Sequence, residues 1–308
     1  VNQHTSTARL FDNWIFCVTL AILISFSGTG CRRSSDESGS QKNNALSSGP
    51  ASFANAKLTT ADSVALVEIS SLGQLHQQLI RLYDQVAAQN QTNSQTLKQY
   101  LEVSTNALGF NPSKQAEIEK ASGIDFSKPV SCGLRITAPV GSGGTPSVQL
   151  TVQVPISDSS KANELIGRLT RLSGASIQKK STAEPTIYSL TTKSGYSDEL
   201  QELAAYSIND QILTVFISDF PSLNARSLAE HLLQAKAQPL EKVEHFQQTL
   251  PYLAADNQIR LFLNIKSIAQ TPPLNRTPVS PLAGNFEAFG LTAGTQRLQA
   301  ALTLNDSA

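Results

Sequence analysis

Ser176-Ile177-Gln178-Lys179, followed by Lys193-Ser194-Gly195, has the residue types of serine acyl transfer: a nucleophile in S-x-x-K and a later K-[ST]-G strand. That chemistry needs the serine to open a helix, so that the lysine one turn on meets its hydroxyl. ASIQKK reads as a strand, which puts Ser176 and Lys179 on opposite faces. No S-x-N lies between the two motifs, and the short separation leaves no room for a helical domain, so no catalytic residue is assigned. Glu230-His231 and Glu244-His245 sit on consecutive predicted helices, but neither has H-E-x-x-H or paired-cysteine spacing. A solvated helix face is the expectation for both, and no metal or cofactor is expected. Gly141 to Gly144 reads as a hairpin turn, because no lysine-bearing helix follows to make a phosphate cradle.

The N-terminus carries a different signal. Residues 14–27 (WIFCVTLAILISFS) hold no charge, a length that suits a signal-peptide apolar region and falls short of the roughly 20 residues that span a bilayer. Gly28, Thr29 and Gly30 lead into Cys31, and Arg32, Arg33 and a polar stretch follow. The arrangement resembles the lipobox of bacterial lipoproteins, with Gly28 standing where that family usually has an aliphatic residue. The resemblance implies signal-peptidase recognition at Gly28, Thr29 and Gly30, a thioether-linked diacylglycerol on Cys31, and Cys31 as the mature N-terminus. It also implies the outer membrane, because Arg32 and not Asp follows the cysteine. A second reading stays open: residues 11–30 as an uncleaved anchor, with Arg32 and Arg33 holding its C-terminal side in the cytoplasm.

Of three cysteines, Cys17 belongs to the apolar segment and Cys31 to the lipid site, which leaves Cys132 alone. In VSCGLRI it reads as a small buried hydrophobe on a strand rather than a reactive thiol. Twenty-four basic residues balance 24 acidic ones, and Lys179-Lys180 is too small a basic cluster, so the chain is not expected to bind nucleic acid. At 40% hydrophobic residues it can bury a sizeable core.

Residues 31–57 are rich in Ser, Asn, Gly and Ala and read as the lipidated cysteine with a flexible tether. The domain is expected from residue 58 to 258. VALVEIS predicts a strand, and Ser71 with Gln74 predicts the cap of a helix. Leu72, Leu75, Leu79, Leu82 and Val86, then Leu97, Leu101 and Leu108, predict two helices joined by a polar turn over residues 90–94. Asn111 should cap a short helix with Pro112 at its first position and Gly123 past its end. Period two then takes over. Residues 130–137 and 148–154 predict a hairpin whose Val148, Leu150, Val152 and Val154 face the core while Gln149, Thr151 and Gln153 face water. A helix ended by Gly174, short strands near Ile177 and Ile187, a hairpin turning at Asn209-Asp210 and two more helices complete this part.

From residue 259 to 308 the pattern restarts. IRLFLNIKSI resembles VALVEISSL, and FEAFGLTAGTQRLQAALTL resembles VSCGLRITAPVGSGGTPSVQLTV as strand, Gly-containing turn, strand. This predicts an incomplete second β unit on the same sheet, with the first unit's helices replaced by a Pro-rich loop at 271–282. The fold class expected is α+β, a largely antiparallel sheet with helices packed on one face. The order strand, long helices, LGFNP, SGIDFSKPVSCGL resembles uncharacterised exported bacterial proteins whose domain opens on P-A-D-T, where this chain has Thr60-Ala61-Asp62-Ser63. That resemblance implies an architecture and no mechanism. The function expected is a lipid-anchored envelope protein with a non-catalytic binding or structural role, its partners the membrane and an envelope protein or ligand. The alternatives are an envelope hydrolase with a site assembled from distant residues, or a carrier of a hydrophobic ligand with an enclosed apolar cavity.

Overall fold

Ala65–Ile69 forms β1, and Ser71 turns the chain into α1 (Leu72–Gln89), its Oγ accepting the Gln74 N–H at 3.3 Å. The computed structural model describes residues 53–89, 91–137, 147–180, 185–193, 200–218, 224–253, 258–270, 286–293 and 298–304. Gly28, Thr29, Gly30, Cys31, most of the tether, the turn at 141–146, Ser194-Gly195 and the Pro-rich loop lie outside these residues.

Helix α2 (Gln91–Leu108) takes up most of the polar stretch expected as a turn. The Asn111 side chain spends its Oδ1 on the Ser113 N–H, closing a local turn, so α3 (Gln115–Ser122) starts at Gln115 and not at Pro112. Gly123 ends α3 as expected. Its φ of 68° is left-handed, and a Cβ there would strike the Asp158 backbone, so both conformation and space demand glycine. Strands β2 (Val130–Thr137) and β3 (Ser147–Pro155) follow, then α4 (Ser159–Leu172), whose N-cap Asp158 accepts the Ser160 and Lys161 N–H groups. Next come β4 (Ser176–Lys179), β5 (Ile187–Lys193), β6 (Leu200–Asn209) and β7 (Ile212–Ser218). The β6–β7 turn centres on Asp210 and Gln211, both at positive φ, one residue later than the sequence suggests. Helices α5 (Asn224–Ala237) and α6 (Glu244–Thr249), β8 (Ile259–Asn264), α7 (Ile265–Gln270), β9 (Phe286–Ala293) and β10 (Leu298–Leu304) complete the chain.

All ten strands join one antiparallel sheet in the order β10-β9-β8-β1-β2-β3-β7-β6-β5-β4, and the fold is α+β. Helices α5 and α6 cover one face: Leu228 and Ala225 pack on Phe216, Ala205 and Ile187, and Phe246 packs on Phe262 and Leu66. One helix departs from the expected single layer. Ala162 and Ile166 of α4 pack on Tyr206, Val215 and Tyr188, which point to the opposite face. Folded structure also begins before residue 58, for Phe53, Asn55 and Ala56 are buried on the α6 side of the sheet.

The expected faces of β3 are reversed. Gln149, Thr151 and Gln153 are buried, whereas Leu150, Val152 and Val154 are half-buried and Val148 is 45% exposed. The reason lies in what covers the sheet. Between α5 and α6 the covering layer is residues 53–60, with a single 3-10 turn at Ala56–Leu58, and those of its backbone groups left unpaired by the turn need partners that polar side chains supply. Gln153 donates to the Leu58 carbonyl at 2.7 Å, and Glu68 accepts the Ala54 and Asn55 N–H groups at 3.2 and 3.0 Å.

Candidate binding face

The strand registers align side chains into cross-strand rows. On the helix-covered face one row runs Thr292, Arg260, Glu68, Ser131, Gln153, Thr214, Ser207 over seven strands, each no more than 9% exposed. Within it Arg260 Nη1 lies 2.8 Å from Glu68 Oε1, and Ser131 Oγ donates to Gln153 Oε1 at 2.7 Å. Burial pushes the Glu68 carboxyl above the usual carboxylate range, against the lowering pull of the Asn55 N–H and of Arg260. Glu68 and Gln153 of this row fasten the 53–60 segment to the sheet.

The other face presents the opposite chemistry. One row there runs Ala300, Leu291, Leu261, Val67, Cys132, Val152, Val215, and the next runs Leu302, Phe289, Leu263, Ala65, Leu134, Leu150, Ile217. From β9 to β7 every member of both rows is half-buried, and at β10 Leu302 is 51% exposed. Leu66, Phe262 and Phe216, their neighbours on the covered face, are at most 1% exposed. The two rows carry no charge and no hydrogen-bonding side chain other than the Cys132 thiol. Burial pushes that thiol up to about 11, so it stays protonated and acts as a small hydrophobe.

None of the sequence motifs is assembled into a reactive site among the described residues. Ser176 lies on β4, 2.8 Å from Thr191 Oγ1, and Lys179 points to the other side of the strand. The histidines are not solvated as expected. His231 is 2% exposed with its ring 6.0 Å from that of Phe216, and His245 stacks at 6.1 Å on Phe262. Neither His231 ring nitrogen has a hydrogen-bond partner of good geometry. Burial, with Arg135 adding to it, lowers His231 to about 4, outweighing Leu58 and Asp62, which favour the charged form. No group of three or more His, Cys, Asp or Glu that could hold a metal occurs among the described residues.

A groove of about 490 Å³ opens between the start of α1 and α3, lined by Gln74, Gln77, Gln115, Glu119 and Asp125 among others. Its polar groups serve one another: Gln115 donates to Glu119 at 2.8 Å, and Asp125 accepts from the Ser127 N–H and Oγ. The bond from Ser127 holds the Asp125 carboxyl below the usual carboxylate range, which makes it a weak base toward that hydroxyl. Among the described residues no helix is long and apolar enough to cross a membrane.

Sequence reasoning recognised the aliphatic alternation but put it on the wrong face. The available signal was Glu68 in VALVEIS and Arg260 in IRLFLN, two charges in otherwise apolar strands that pair only when both point into the fold. No family model, no curated protein and no solved structure matches this chain.

Proposed function

We propose that this protein is a lipid-anchored component of the bacterial cell envelope that works by binding and not by catalysis. The observation that carries the binding role is the uncharged, half-open aliphatic surface running from β10 to β3, short of the β7 end, where α4 packs on Val215. Monomeric proteins rarely leave a continuous apolar patch on view, and such patches mark sites of interaction. The open sheet favours a partner with an apolar surface over a small ligand held in an enclosed cavity. Anchoring rests on residues 14–31: cleavage after Gly28-Thr29-Gly30 and acylation of Cys31 would hold the protein on the membrane facing the periplasm, at the outer membrane by the Arg32 rule. More than one acyl chain, at about 0.8 kcal/mol per buried methylene, suffices without any protein contact.

The test is the intact mass of protein extracted from membranes, beside a Cys31→Ala variant fractionated the same way. A species beginning at Cys31 and carrying acyl chains, with the variant unprocessed, is the expected result. A full-length, unmodified mass in both would mean an uncleaved anchor and remove the envelope assignment. Turnover of a peptidoglycan or ester substrate, abolished by one point mutation, would remove the non-catalytic one.

A further inference from the structure

Strands β1-β2-β3 and β8-β9-β10 are two copies of one meander, joined where β1 and β8 pair antiparallel. The registers of the copies match as far as Thr303, after which a bulge in β10 sets Leu304 opposite Phe286. Leu66 lies opposite Phe262, one rung from the centre of the β1–β8 pair; Leu66 also lies opposite Gly133 on β2, and Phe262 opposite Gly290 on β9. An approximate two-fold axis therefore passes through the Leu66 and Phe262 pair. Continuing outward, Gly133 meets Thr151 and Gly290 meets Ala301, so Val152 of β3 corresponds to Leu302 of β10; two residues on, Val154 and Leu304 occupy the same sequence offset, Leu304 lying just past the bulge.

The correspondence stops at the next strand. In the first copy β7 pairs with β3, setting Val215 beside Val152 and Leu213 beside Val154. In the second copy no described strand lies beyond β10, and Leu302 and Leu304 are 51% and 64% exposed where their counterparts are half-buried. The sheet's two edges are also built differently. The far edge, β4, is four residues long, ends in Lys179 and is followed by Lys180, whose Nζ lies 3.4 Å from Glu202. A short strand flanked by lysines is how a sheet protects an edge from added strands. The β10 edge is seven residues, LQAALTL, without charge, proline or glycine.

We propose that the outer edge of β10 is a docking site for a partner protein, which adds an extended segment as an antiparallel strand with the chemistry of β7. That segment places branched aliphatic side chains beside Leu302 and Leu304 and small hydroxyl or aromatic side chains on the covered face. Main-chain hydrogen bonds along the edge give affinity, and the alternating side chains give register. The inference deepens the binding role proposed above by naming where the partner attaches and in what form. It is independent of the lipid anchor, so its failure and a failed mass test are distinguishable.

The probe is a fluorescein-labelled peptide of β7 sequence, Gln211 to Ser218, with a solubilising lysine tail, titrated with the full chain and followed by anisotropy. Saturable binding is expected, none for a scrambled peptide, and at least a tenfold weakening by Leu302→Lys combined with Leu304→Lys. Two further peptides guard against a variant that fails to fold: one N-methylated at Leu213, Val215 and Ile217, the other at Ile212, Thr214 and Phe216. Neighbouring N–H groups of a strand point to opposite edges, so one of these should lose binding and the other keep most of it. Absence of saturable binding, or the same affinity for both methylated peptides, overturns the proposal. So does a concentration-dependent dimer abolished by the two lysine substitutions, since the edge would then be filled by a second copy.

Discussion

On the covered face of β3, Gln149, Thr151 and Gln153 are no more than 8% exposed, while on its other face Leu150 and Val152 remain half-buried. The same division extends through β1 and β8, where Glu68 and Arg260 are buried and Val67 and Leu261 are not fully so. Hydrophobic burial alone would turn β3 over, because an aliphatic side chain gains by leaving water and a polar one loses, whereas β1 and β8 also bury Leu66 and Phe262 on the covered face. They are held by the layer above them. Residues 53–60 bring main-chain N–H and C=O groups onto the centre of the sheet, where Glu68 and Gln153 satisfy those of Ala54, Asn55 and Leu58 at 2.7–3.2 Å, and the Asn55 side chain donates to the Pro129 carbonyl at 3.2 Å. The opposite face has no such demand over β8, β1 and β2, so the aliphatic residues collect there. Polar side chains gather on this sheet where the covering layer brings unpaired main-chain groups onto it.

The comparison is broken most severely by Arg260→Ala. Glu68, 0% exposed and directly opposite, would keep a buried charge with its cationic partner gone, which costs about 3–5 kcal/mol. Urea unfolding at neutral pH measures it. Glu68 already lies above the ordinary carboxylate range. Removing Arg260 raises it further, so the loss should shrink as the pH falls and the carboxyl takes up its proton. Replacing both partners by apolar residues leaves the Ala54 and Asn55 N–H groups without their acceptor but strands no charge, so it should cost less than Glu68→Ala alone, which orphans Arg260 as well. If Arg260→Ala leaves stability unchanged, the row is not what fastens residues 53–60 to the sheet.

A smaller effect comes from His231, also on the covered face. Its folded value of about 4 lies below the 6.5 of the free side chain, so the folded state disfavours the proton. The stabilisation is therefore fully present above pH 6.5 and is lost as the pH falls toward about 4, amounting to about 3 kcal/mol for a shift of this size. His231→Phe, which keeps a ring against Phe216, should flatten the stability profile in that window and leave other regions of it in place. An unchanged profile would mean that His231 takes up its proton as readily in the fold as in the unfolded chain.

Much of the architecture was legible in the sequence because it rests on local signals. Period-two runs marked the strands, Ser71 and Gly123 the ends of helices, and the likeness of IRLFLNIKSI to VALVEISSL a strand at β8. The binding face was not legible in the same way. Alternation at Val148 to Val154 says that a strand has two unlike faces and says nothing of what lies over each. Deciding that requires knowing that residues 53–60 return across the sheet, with Leu240 N–H bonded to the Thr59 carbonyl at 2.8 Å. His231 was misread for a related reason: a lone histidine beside Glu230 has a polar neighbour in sequence, but Glu230 pairs outward with Arg226 while the histidine turns in toward Phe216.

The smallest effect on stability is expected where the aliphatic face runs out. Leu302→Lys alters a side chain that is 51% exposed, has no described strand on its outer side and lies opposite Phe289. Surface substitutions of this kind change stability by about 0.5 kcal/mol or less, and the lysine stem can still lie along Phe289 with its charge in water. Leu150→Thr, at the middle of the same row and flanked by Leu134 and Ile217, should cost more, about 1 kcal/mol, because it removes half-buried aliphatic area on both sides. Binding of an apolar fluorescent probe should fall for both variants. That pairing of a near-neutral stability change with a clear loss of binding distinguishes a working surface from a poorly packed one. If Leu302→Lys instead destabilises the chain as much as Leu150→Thr does, the β10 end of the row is already covered, and the contrast between the two faces ends at β9.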